Sequence, residues 1–83
     1  MFYRVQAVKP LDNMMLEVCF SGGAVKRYDV KPLLSKWQAF EDLRRVNGLF
    51  EQVCVDQGGY GISWNDHLDL SCNELWEGGT ALS

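Results

Sequence analysis

The single histidine, His67, stands beside Asp66 and two residues ahead of Asp69. A carboxylate next to an imidazole can hold the ring as a general base, and an Asp-His-x-Asp cluster can hold a divalent metal. Neither chemistry is complete here: no nucleophile and no third fixed ligand stands at a recognised spacing, and the same residues suit a solvated turn. Cys19, Cys54 and Cys72 are odd in number, widely spaced and without a C-x-x-C pair, so they compose neither a disulfide framework nor a zinc site. They read as structural thiols of a reducing compartment. Only Cys72, at the start of a short helix, has a placement that can activate sulfur. Gly58-Gly59-Tyr60-Gly61 lacks the Lys-Ser/Thr pair and the following helix of a phosphate loop, and reads as a hairpin turn. With 83 residues the chain is expected to lack room for a pocket of several hundred cubic ångströms beside a packed core. The chain is therefore read as non-enzymatic, with no catalytic residue, metal or cofactor assigned.

Charge is more informative than its sum of −3. Residues 1–45 carry all eight basic side chains and five acidic ones, a net of +3. Residues 46–83 carry six acidic side chains and no Lys or Arg, a net of −6. A segment of that kind, folded onto one side, repels nucleic acid and membranes and steers basic partners. The plainer reading is a solvated acidic face that keeps a small protein soluble. Hydrophobic residues make up 47% and charged residues 23%, which excludes disorder and fibrous architectures. Apolar runs stop at three residues, where a membrane helix needs roughly 20. The first residues show no basic flank leading into an apolar stretch, so no signal peptide is expected and a cytoplasmic location is.

The elements that must position these groups follow from periodicity. Residues 4–9 alternate, with Val5 and Ala7 on one face, and Pro10-Leu11-Asp12-Asn13 reads as a turn. Residues 14–20 put Leu16, Val18 and Phe20 on one face and Met15, Glu17 and Cys19 on the other. Ser21-Gly22-Gly23 signals a hairpin into residues 25–30, where Tyr28 and Val30 share a face. The period then becomes helical, with Leu33, Leu34, Trp37, Phe40 and Leu43 on one stripe, Pro32 in the first turn and Asn47-Gly48 as a stop. A break near Ser35-Lys36 is allowed for. Leu49 and Phe50 re-enter the core, residues 52–56 alternate, Gln57-Gly58-Gly59 turns, and Tyr60, Ile62 and Trp64 share a face of the next strand. Ser71-Cys72-Asn73-Glu74 fits a capping box before a short helical turn, ended by Gly78-Gly79. The prediction is one α+β domain over residues 1–83, in the order β-β-β-α-β-β. It has an antiparallel meander, one amphipathic helix on the sheet, an optional C-terminal helical turn, and a frayed tail at 78–83.

The string Tyr28-Asp29-Val30-Lys31-Pro32-Leu33-Leu34, followed by Phe40-x-x-Leu43, Leu49-Phe50, Ile62-x-Trp64 and Asp69-Leu70, resembles the bacterial domain-of-unknown-function family 2442. The resemblance runs from about Val5 to Leu75. It implies a small α+β domain of three strands, a helix and two more strands, without an established activity. Some members of the family look like the antitoxin half of two-gene toxin–antitoxin modules, and some carry a DNA-binding helix-turn-helix after this domain. Asn65-Asp66-His67-Leu68 departs from the glycine-containing turn expected after the tryptophan. The matching positions are mostly apolar or turn-forming, so Tyr28, Phe40, Leu43, Phe50 and Trp64 are expected in the core. Asp29 is expected to accept backbone N–H bonds at the helix entrance.

Three functional readings follow, of which one is a homodimeric structural domain of unknown role, whose partner is a second copy of itself. In the favoured one the domain binds another protein, such as a basic, toxin-like partner. Its contact residues are Trp64, Asp66, Asp69, Glu74, Trp76 and Glu77 on the acidic C-terminal face. In the alternative, Lys26, Arg27, Lys31, Lys36, Arg44 and Arg45 form a strand–helix face for nucleic acid. The pI near 4.9 and the lack of a known reader motif weigh against that second reading.

Overall fold

The computed structural model describes residues 3–82. The first three strands form the meander read from the sequence. β1 (Val5–Leu11) pairs antiparallel with β2 (Met15–Phe20), and β2 with β3 (Val25–Asp29). The alternation of β2 is realised in full: Leu16, Val18 and Phe20 have no exposed surface, whereas Met15, Glu17 and Cys19 are half-buried. β1 differs from its expected pattern. Val5 lies opposite Phe20 but Ala7 lies opposite Cys19, so the register shifts at Gln6. An extra residue in one strand moves every later side chain to the other face. Ala7 is accordingly exposed, and Val8 packs on the core opposite Val18. The strand also runs on through Pro10 and Leu11, and the turn falls at Asp12–Met14 with Asn13 and Met14 at positive φ. Proline is tolerated there because β1 is an edge strand.

The stretch expected as one amphipathic helix is divided. α1 (Lys31–Lys36) ends at Trp37, whose φ of −127° and ψ of 117° are extended. A 3-10 turn at Gln38–Glu41 and the short α2 (Asp42–Arg45) follow. The break falls near Ser35-Lys36, as allowed for, and Ser35 Oγ donates back to the Pro32 carbonyl at 3.2 Å in the last turn before it. Leu34, Phe40 and Leu43 are buried as expected, but the break swings Trp37 off the stripe and leaves it 54% exposed.

A second sheet is built from β4 (Cys54–Val55), β5 (Gly61–Ser63) and β6 (Asp69–Ser71), in that spatial order and antiparallel. β4 is shorter than expected because Phe50–Gln52 forms a 3-10 turn that inserts Phe50 into the core. Gly58 and Gly59 take the positive φ of the turn, at 81° and 75°. Tyr60, expected beside Ile62 and Trp64, precedes the strand in a helical conformation and is 67% exposed.

The chain then joins the two sheets. α3 (Cys72–Gly78) leads from β6 to β7 (Thr80–Ala81), which pairs antiparallel with β3 and completes a four-stranded sheet in the order β1-β2-β3-β7. The tail expected to fray over 78–83 is paired there as far as Leu82, since Ala81 and Thr80 lie opposite Lys26 and Arg27, and the Leu82 N–H bonds the Val25 carbonyl at 3.0 Å; Ser83 lies outside the described residues. One core unites Val5, Leu16, Val18, Phe20, Tyr28 and Val30 of the meander with Ile62, Trp64, Leu68, Leu70 and Leu75.

Phe20→Ala should cost about 3–5 kcal/mol of unfolding free energy, as truncation of a buried aromatic does. Trp37→Ala should cost far less, about 1 kcal/mol or below, because about half of the side chain stands in water. Urea unfolding of both variants checks the pair.

Candidate functional site

Ser71 ends β6 in extended conformation, and its Oγ accepts the Glu74 N–H at 3.1 Å. This is the predicted N-cap of α3. The reciprocal half of the capping box is replaced: Glu74 Oε2 instead accepts the Tyr28 hydroxyl at 2.7 Å. Burial pushes the Tyr28 phenol above its ordinary value, and the bond to Glu74, the Glu74 charge and Asp29 push it further. One turn on, Trp76 is enclosed by its own chain. Lys26 Nζ sits 4.0 Å from the indole centroid and donates to the Trp76 carbonyl at 2.6 Å. Tyr3 stacks at 3.6 Å with 12° between the planes, and Phe20 meets the indole edge-on at 4.9 Å. These contacts fix α3 as a ridge across the molecule, with an open groove on either side.

Contrary to the expectation from chain length, recesses of several hundred cubic ångströms do fit, because they lie open between surface elements rather than inside the core. The first groove encloses about 430 Å³ between α3 and the broken helix. Leu33, Trp37, Phe40 and Leu70 supply its apolar lining, and Lys36, His67, Asp69 and Glu74 are its charged or polar lining groups. The second, of about 390 Å³, lies between Tyr3, Trp76 and Tyr60, with Ser71, Asn73 and Glu77 as its polar lining. Arg4 covers one face of the Tyr60 ring, 5.1 Å from its centroid.

The residues expected on the acidic face separate on this frame. Asp69 and Glu74 line the first groove, Trp76 and Glu77 the second, and Asp66 is exposed in the loop before β6. Trp64 is not an anchor. It is 5% exposed, packs edge-on against Phe40, and its Nε1 donates to the Phe50 carbonyl at 3.1 Å. Trp76 is half-buried and already sandwiched, which leaves little of it for a partner. Trp37 is the aromatic that reasoning from the sequence missed. The signal was the break allowed for near Ser35-Lys36, which falls just ahead of it.

The basic residues do not gather into one face. Lys26 points to Trp76 while Arg27, its neighbour along β3, points to the opposite side of the sheet. There Arg27 lies across from Glu17, itself across from Lys9, in a rung of alternating charge. Lys31 pairs with Asp29 at 2.9 Å, and Arg44 with Glu41 at 2.7 Å. Lys36 stands beside Trp37 at the first groove, and Arg45 is exposed at the end of α2.

The chemistry-bearing residues are also placed. Cys72 is buried and its thiol donates to the Tyr3 carbonyl at 3.2 Å. Burial raises its pKa against a smaller opposing effect of a backbone bond from Val5, the reverse of thiol activation. His67 is exposed, its backbone N–H held by Asn65 Oδ1 at 2.8 Å. Among the described residues, no three His, Cys, Asp or Glu side chains converge as a metal site.

The pattern of the family described as Protein of unknown function (DUF2442) matches residues 5–81. The chain belongs to that family. Comparison with curated proteins and with solved structures returned no match. In this DUF2442 domain the stretch from Tyr28 to Leu34 makes the turn from sheet to helix. Asp29 Oδ1 accepts the Lys31 N–H at 3.0 Å, as expected of it, and pairs with the same residue's ammonium. Slight desolvation raises the Asp29 pKa, but the hydrogen bonds and charge of Lys31 outweigh it and hold the carboxyl below its ordinary value. After Trp64, an Asx turn made by the Asn65 side chain stands in place of the expected glycine-containing turn. Asn65 Oδ1 accepts the N–H groups of His67 and Leu68, and the Trp64 N–H closes the loop on the Leu68 carbonyl.

Because the folded pKa of Tyr28 lies above the ordinary value near 10, its contribution is complete below about pH 10 and is lost as pH rises further. Tyr28→Phe should lose about 1–3 kcal/mol at neutral pH and show a shallower alkaline decline than wild type. Urea midpoints at pH 7, 9.5 and 10.5 measure both effects.

Proposed function

We propose that this domain is a non-enzymatic, cytoplasmic protein-interaction module that binds a basic protein through its acidic C-terminal side, as an antitoxin covers a basic toxin. The observation that carries the reading is the ridge of α3 and β6. Asp69 and Glu77 are exposed on its two sides, Asp66 is exposed in the loop that leads into β6, Glu74 lines the groove beside Asp69, and no Lys or Arg follows Arg45 in the sequence. Carboxylates fixed on a rigid element attract and orient a basic partner without first having to be ordered. The engagement of Lys26, Lys31 and Arg44 by the chain's own groups weighs against a nucleic-acid face. The burial of the Cys72 thiol supports a role without covalent chemistry. No described helix is long and apolar enough to cross a membrane.

The test is capture by the tagged protein from its own cells, washed at low and then high salt, beside the variant Asp66→Lys/Asp69→Lys/Glu77→Lys. Glu74 is spared because it holds Tyr28. A stoichiometric basic protein, released by salt and bound at least about tenfold more weakly by the variant, is expected from rim charges. Equal binding by the variant would contradict the acidic-face reading. Recovery of nucleic acid would transfer the function to the basic residues, and recovery of the chain alone would point to a homodimer.

A further inference from the structure

We infer that the groove beside Trp37 receives a basic amphipathic segment of the partner, with one large apolar side chain seated on Trp37 and Leu70 and a neighbouring Lys or Arg against Asp69 and Glu74. This rests on the reading that the acidic side binds a basic protein. Three observations carry it. Trp37 is a large aromatic left 54% exposed by the break after α1, and it forms a wall of an open groove rather than standing alone. Tryptophan at an apolar recess is among the residue types that most often dominate an interface. The groove, at about 430 Å³, has room for one or two large side chains, and Leu33, Phe40 and Leu70 give them an apolar bed. The two carboxylates of the lining, Asp69 and Glu74, come from β6 and α3, whereas Trp37 and Lys36 come from the broken helix opposite.

That arrangement selects the occupant. Phosphate-bearing ligands, whether nucleic acid or lipid headgroups, meet carboxylates at the groove and are disfavoured. A second copy fits poorly, because it brings its own net charge of −3 to an acidic surface, and part of its cations are held by its own chain: Lys31 by Asp29, Arg44 by Glu41, Lys26 by Trp76. A foreign segment alternating apolar and basic residues at helical spacing satisfies both the bed and the carboxylates.

The probe is a synthetic 14-residue Lys/Leu peptide of helical periodicity, with Lys/Ser and Glu/Leu peptides of equal length as controls, titrated into ¹⁵N-labelled protein. The Lys/Leu peptide should shift the Trp37 indole N–H and the amides of residues 67–70 more than either control. Trp37→Ala should weaken it at least about tenfold, and Asp69→Lys should do the same. If Asp69→Lys weakens binding and Trp37→Ala does not, the groove is not the seat and this inference fails while the acidic-face reading stands. If neither variant changes the affinity, both fail. Equal binding of the Glu/Leu peptide would show apolar adhesion alone and overturn the charge selection. Trp37→Ala, at an exposed position, leaves the fold in place to be measured.

Discussion

The architecture depends on how β3 grips α3. Residues 72–78 are the only connection between the last strand of one sheet and the last strand of the other, and a seven-residue helix has no stability of its own. It is held because Tyr28 and Lys26, two apart on one face of β3, reach it from below. One donates its hydroxyl to the Glu74 carboxylate, and the other lays its ammonium on the Trp76 ring while bonding the same residue's carbonyl. A hydrogen bond to a carboxylate and a partly desolvated cation–π contact each stabilise by about 1–3 kcal/mol. In a domain of this size such sums are a large part of the total.

This grip reassigns residues that the charge pattern alone suggests for a partner. Glu74 and Trp76 serve the domain first, and what they leave free is the ridge they fix. Asp69 and Glu77 take defined positions on its two sides because Ser71 caps α3 and Leu75 anchors it in the core. The break before Trp37 provides the opposite wall. Recognition would then combine a rigid carboxylate edge with one aromatic surface, an economical combination for a protein with so little interior.

Much of this was legible in the sequence where a single local rule decides the outcome. The strict alternation of Leu16, Val18 and Phe20, the glycines after Phe20 and Asp56, the Ser71 cap and the Asp29 turn all act over a few residues. The features that escaped depend on competition between rules or on distant partners. The shift at Gln6 turns Ala7 outward although Val5-Gln6-Ala7 alternates, because only pairing with β2 reveals the extra residue. Trp37 sits on the helical stripe by number and off it in space. β6 and β7 are three and two residues long, too short for periodicity, and exist because β5 and β3 offer them hydrogen bonds. The candidate site was legible as a set of charges, whereas its grooves were not, since each is formed by elements far apart in the chain.

The most direct test of the grip is amide hydrogen exchange in Lys26→Ala/Tyr28→Phe beside wild type. The account predicts that α3 amides, together with Gly79 and Leu82, lose protection by about 30-fold or more through local opening. Val18, in the fully buried middle of β2, should change far less. Unchanged protection of α3 in the double variant would contradict the account, and would mean that the helix is held by Leu75 and the core alone.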